Sequence, residues 1–159
     1  MKRRCEREGF TMVELVVVIV LVGILAAVVI PRFVGRQGFE ARGFFDAASA
    51  AVRYAQKTAI AQRRQVFVVV TATTFSVCYD AACALPVTNP STGAALLVDA
   101  RRGNPALAAP ATVAPAPTFS FNGLGQPSAP QVLLFTPAEA GDVPRTLSVA
   151  GETGYLSQS

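Results

Sequence analysis

Gly9-Phe10-Thr11-Met12-Val13-Glu14 runs directly into an apolar stretch, Leu15 to Ile30. Counted from Phe10 to Ile30 this is about 21 residues, enough for a helix to cross roughly 30 Å of hydrocarbon. Nearly every position is apolar, so no 3.6-residue stripe can be drawn and burial on all sides is expected. Glu14 is the one charge inside it. A carboxylate at the edge of a membrane-length segment is costly unless it has a partner or a task. The preceding Met1 to Gly9 carries Lys2, Arg3, Arg4 and Arg7, which predicts that this end stays cytoplasmic and the bulk of the chain faces outward.

Two plainer readings compete. A secretory signal peptide fits poorly, because the carboxylate heads the apolar run and no small-x-small cleavage pattern with a polar start follows near Pro31. An ordinary single-pass anchor with a tolerated glutamate is the other. Within the run, Gly23 lowers local helix stability, and Pro31 lacks the amide that would bond the Ala27 carbonyl. Both point to flexibility in the helix, with close helix packing as a compatible role for Gly23.

The Gly9-Phe10 junction, with Glu14 behind it and a basic leader before it, resembles the processing site of type IV pilin-like proteins, the class III signal of pilins and type II secretion pseudopilins. The resemblance implies that prepilin peptidase, a membrane enzyme, cuts between Gly9 and Phe10 and methylates the new Phe10 terminus. It also implies a curved amino-terminal helix that unwinds locally in a filament, which Gly23 and Pro31 suit. The Phe10 ammonium and the Glu14 carboxylate would then both sit among apolar helices, where pairing is the cheapest remedy. Four residues apart, they share one helix face; between neighbours, the pair would set the axial register of an incoming subunit.

The leader holds four of the 14 basic residues and two of the 10 acidic ones, so the remainder carries about +2. So near neutrality, nucleic acid is not an expected partner. The segment Arg32 to Arg42 contains Gly35 and Gly38 and is expected to be flexible. Phe44 to Gln62 reads as an amphipathic helix with Phe44, Ala48, Ala51, Val52, Ala55 and Ala59 on one face, reaching about residue 64. Gln65–Thr71 and Thr74–Tyr79 read as a hairpin. Residues 84–117, rich in Ala, Pro, Thr and Gly, read as an irregular loop with a short strand at Ala94–Val98. Thr118–Phe121, Gln131–Thr136, Arg145–Ala150 and Tyr155–Ser157 read as further strands, with turns at Asn122–Gly125, Ala140–Asp142 and Gly151–Gly154. The expected organisation is a cleaved leader (1–9), a transmembrane and filament-core helix (10–31) and an outward head (32–159). The class is α+β: a long amino-terminal helix packed on a mostly antiparallel sheet, the type IV pilin-like fold.

Three further segments resemble the GspH/FimT branch of minor pilins and pseudopilins: Phe39-x-x-x-Gly43-Phe44-Phe45, Arg53 to Arg64, and Phe119-Ser120-Phe121-Asn122-Gly123-Leu124-Gly125-Gln126-Pro127. Within it the likeness is nearest to MshC-type minor pilins of the mannose-sensitive haemagglutinin pilus. The resemblance implies a structural subunit that joins or primes such a pilus, partnered by other pilins and anchored in the inner membrane with its head in the periplasm. The alternative is a minor pseudopilin of a type II secretion system. A third reading is a DNA-binding minor pilin for uptake. Some FimT-like pilins bind DNA through basic residues near the carboxyl end, yet Gly151 to Ser159 has no Lys or Arg.

Cys78 and Cys83, with four residues between them, close the second predicted strand; an oxidising periplasm favours a disulfide there, two buried free thiols being the alternative. Cys5 lies in the leader. The chain has no histidine, so no metal site is expected from two thiolates alone, and no cofactor is expected either. Nucleophilic triads and most general-base schemes lack their usual partner, so no enzyme is expected. Asp80, Asp99, Glu139, Asp142 and Glu152 fall in predicted turns, and Gly123-x-Gly125 does not open a helix after a strand. Arg63-Arg64 suits the end of a helix.

Overall fold

The computed structural model describes residues 11–34, 36–103 and 107–159. Helix α1 spans Met12–Val34 and α2 spans Arg36–Gln62. Two compact units divide between Arg36 and Gln37. The first contains α1, whose backbone is helical through Gly23 and Pro31. The second is the head.

In the head, α2 is followed by β1 (Val66–Val70), β2 (Thr74–Cys78), β3 (Leu97–Asp99), β4 (Ala111–Ala114), β5 (Thr118–Phe121), β6 (Gln131–Pro137), β7 (Arg145–Val149) and β8 (Leu156–Gln158). They form two four-stranded sheets, β3-β2-β1-β5 and β4-β6-β7-β8, with every pairing antiparallel. The two-residue period sorts side chains by face. Val66, Val68 and Val70 of β1 are buried and Phe67 and Val69 are half-buried. In β6, Leu133 and Phe135 point inward between exposed Val132, Leu134 and Thr136.

Helix α2 lies on this core through Phe44, Ala48, Ala51, Val52, Ala55 and Ala59, all buried. Their three-and-four spacing makes one face. Four of the six are alanines, which lets the helix axis approach the sheets closely. Ser49, also buried, donates its hydroxyl to the Phe45 carbonyl at 2.8 Å. The two sheets meet through aromatic rings. Phe75 of β2 stacks on Phe135 of β6 with centroids 5.7 Å apart, and Phe44 of α2 meets both edge-on at 6.0 and 5.7 Å. Phe45 closes the cluster at 5.0 Å from Phe135.

The expected α+β class, helix on antiparallel sheet, is the one observed, with the strands divided between two sheets. Two expectations need correction. Residues 84–117 are not one irregular loop: besides β3 they contain β4, whose Thr112 and Val113 pair with Thr136 and Phe135. The segment Arg32 to Arg42 is helical apart from Gly35, which lies outside the described residues. Gly38 there is a packing point, its amide donating to Glu139 Oε2 at 3.1 Å. A methyl group on it would lie 3.4 Å from Asp142 Oδ2. Helix α2 ends at Gln62, where the amphipathic pattern was read to end.

Candidate assembly site

Helix α1 begins with a side-chain cap. The Glu14 amide donates to Thr11 Oγ1 at 3.3 Å, and the Leu15 amide donates to the Thr11 carbonyl at 3.2 Å. Thr11 is thus the N-cap residue and Glu14 occupies the third helical position, a Thr-x-x-Glu arrangement that satisfies an otherwise orphaned amide. A carboxylate in the first turn also complements the positive end of the helix dipole. Glu14 is exposed, free to reach a group outside the chain. Gly9 and Phe10, where cleavage was expected, lie outside the described residues.

From Leu15 to Ala26 the helix carries no polar or charged side chain. Twelve large apolar side chains from Met12 to Leu25 are exposed, by 46 to 82%. At about 1.5–3 kcal/mol for each one fully withdrawn from water, the set represents on the order of 20 kcal/mol. That exceeds the whole stability of a typical domain, about 5–15 kcal/mol. Helix α1 therefore calls for an apolar surround. Among the described residues no helix is long and apolar enough to cross a membrane. The apolar run in the sequence extends past them, since Phe10 is not described and neither are the side chains of 27–37.

In the head, two of the segments singled out in the sequence come together. Gln56, from Arg53 to Arg64, donates its side-chain amide to the Gly125 carbonyl at 2.9 Å and the Gly154 carbonyl at 3.0 Å. Gly125 has φ +83° and Gly154 φ +67°, a region that favours glycine. Asn122 Oδ1 accepts the Leu124 and Gln126 amides, each at 3.0 Å, which folds the turn tightly enough to meet the helix. Helix α2 ends in a Schellman motif: Arg64 N–H donates to the Ala59 carbonyl at 3.2 Å, Arg63 N–H to Ile60 at 3.3 Å, with Arg63 at φ 50°. Gly123 seats against that cap, where a methyl group would stand 3.0 Å from the Arg63 carbonyl carbon.

Comparison with known proteins adds three findings. Residues 5–30 match the prokaryotic N-terminal methylation motif. A Thermus thermophilus protein described as the type IV narrow pilus major component PilA5 is 42% identical over 59 residues, 37% of this chain and 51% of that protein. The chain therefore spans about half the length of this relative. The chain superposes on the type IV minor pilin FimU of Pseudomonas aeruginosa with a TM-score of 0.54 and 18% identity, covering 76% of this chain and 88% of FimU. A second crystal form of FimU gives 0.52 at 16% identity, with 74% and 91% covered. Together these support the type IV pilin-like family.

Within this pilin-like head, β2 and the loop after it are covalently tied. Cys78 and Cys83 form a disulfide with Cα atoms 5.1 Å apart. Inside that ring Asp80 accepts the Ala84 amide at 2.8 Å and the Leu85 amide at 2.7 Å. Those two bonds, the Ala84 one first, hold its carboxyl below the ordinary value of 3.8. Among the described residues no group of three or more His, Cys, Asp or Glu side chains is placed to hold a metal. Sequence reasoning missed Thr11 and Gln56. The Thr-x-x-Glu spacing was a readable signal for the first; a glutamine in an alanine-rich helix gave none for the second.

Proposed function

We propose that this chain is a minor subunit of a type IV pilus. It is cleaved by prepilin peptidase between Gly9 and Phe10 and methylated at Phe10. Residues 10–31 hold it in the inner membrane, with the head in the periplasm, until it enters the filament among other pilins. The observation that carries this reading is α1, whose described side chains from Met12 to Ala26 present exposed apolar surface with Glu14 as the one charge among them. A helix of that kind is stable in a bilayer or in a bundle of its own kind, and a filament core provides the second. The methylation motif over residues 5–30 and the FimU-like fold support the same reading. Membership of a mannose-sensitive haemagglutinin pilus is the finer form we favour, on the branch-like segments that meet at Gln56. A secretion pseudopilus would need the same anchor and the same carboxylate.

Glu14 is assigned the register of assembly. In a filament its partner is the Phe10 ammonium of a neighbouring subunit, and a buried pair of this kind acts through specificity more than net stability. Glu14→Ala should insert into the membrane and be cleaved normally while its recovery in sheared filaments falls severalfold. Undiminished recovery of that variant would remove Glu14 from assembly.

A further inference from the structure

The free edge of the second sheet runs beside two cations that have no ion-pair partner among the described residues. Strand β8 pairs only with β7, and the register decides which of its backbone groups face outward. Thr146 and Ser159 exchange both amide-to-carbonyl bonds, at 2.7 and 3.0 Å, and the Ala150 amide donates to the Tyr155 carbonyl at 2.9 Å. Bonded and non-bonded pairs alternate in an antiparallel ladder, so Ser148 and Ser157 form the bonded pair between those two. Leu156 and Gln158 therefore turn their N–H and C=O groups away from β7. Among the described residues neither finds a partner for them.

Two grooves follow this edge. One, of 430 Å³, includes Asp46, Arg53, Tyr54, Lys57 and Gln158 in its lining. The other, of 550 Å³, includes Arg53, Gln56, Lys57, Tyr155 and Leu156. Arg53 and Lys57 line both, exposed and one turn apart on α2. Among the described residues no carboxylate lies within ion-pairing distance of either. Unsatisfied amide and carbonyl groups at strand spacing beside two free cations complement an extended backbone that carries a carboxylate.

We propose that the β8 edge accepts an extended acidic segment of another polypeptide as a fifth strand. Its backbone bonds Leu156 and Gln158, and its carboxylate lies between Arg53 and Lys57. A single-stranded nucleic acid would meet the cations and stack on Tyr54 and Tyr155, but its phosphates donate nothing to the outward carbonyls. The proposal rests on the head alone and is independent of entry into a pilus.

The test uses the full chain in detergent micelles and a capped peptide of alternating Thr and Val with two central Glu residues. Its controls are the same peptide with Lys for Glu, the same peptide N-methylated at alternate amides, and a short oligothymidylate. Fluorescence anisotropy reads binding, and hydrogen exchange reads the Leu156 and Gln158 amides. The acidic peptide should bind with a dissociation constant below about 1 mM and protect both amides. N-methylation should abolish this. Arg53→Ala with Lys57→Ala should weaken binding about three- to tenfold while the circular dichroism of the head is unchanged. Absence of saturable binding up to about 1 mM, equal binding of the Glu and Lys peptides, or protection by the oligothymidylate in place of the peptide would each overturn the proposal.

Discussion

Single residues carry unequal weight here, and the difference follows from what each one touches. Thr11 and Glu14 share one helical turn, so Glu14 has a local role at the α1 dipole before it has any partner outside. In the head, Gly125 and Gly154 both have positive φ, but their surroundings differ. A methyl group on Gly125 would meet the end of the Ile60 side chain at 2.7 Å, which can swing aside. On Gly154 it would meet the Gly125 carbonyl oxygen, fixed in a turn, and the Gln56 amide. Gly154→Ala should therefore cost roughly 3 kcal/mol or more, and Gly125→Ala about 1–2 kcal/mol. Denaturant unfolding followed by tyrosine fluorescence measures both; equal losses would show that the Gln56 junction is softer than described. Gln56→Ala, which leaves two carbonyls without their donor, should cost about 1–3 kcal/mol by the same measurement.

At the scale of elements, the loop after β2 has two independent fastenings. The disulfide closes a six-residue ring, worth about 2 kcal/mol in the chain-entropy picture. Cys83→Ser should lower stability by about that amount without changing the strand register, as denaturant unfolding and strand amide exchange would show. The Asp80 carboxylate is the second fastening, and its pKa is lowered on folding. A lowered folded-state pKa means that its contribution is complete above the ordinary value of 3.8 and is lost as pH falls through the folded value. Protection of the Ala84 and Leu85 amides should accordingly fall only below pH 3.8, and Asp80→Asn should remove that acid dependence.

Elements also differ in how far the sequence discloses them. The β1–β2 hairpin and β5, β6 and β7 are β-branched or aromatic runs bounded by turn residues, so their pattern is local and readable. Strand β4 is not, because Ala111-Thr112-Val113-Ala114 sits among Pro110, Pro115 and Pro117 and becomes a strand through its pairing with β6. The same holds for the junction on Gln56: the turn at Asn122–Gly125 is legible, but nothing local says which helix face it meets. At the amino end, the apolar run and Glu14 were legible, since both are written in consecutive residues.

Across the whole molecule, the chain joins a helix that needs an apolar surround to a head with its own core. The head buries its hydrocarbon under α2 around Phe44, Phe75 and Phe135, so it requires no help to fold. Helix α1 does require it, and the proposed filament provides that surround only after Phe10 becomes a terminus. Cleavage and assembly are then linked through one charge pair. Intact-mass and amino-terminal sequencing of the protein, coexpressed with and without prepilin peptidase, tests this most directly. With the peptidase the chain should begin at Phe10 and carry one methyl group; without it, Met1 to Gly9 should remain attached. A terminus elsewhere, such as near Pro31, or an unprocessed chain in the presence of the peptidase, would contradict the account.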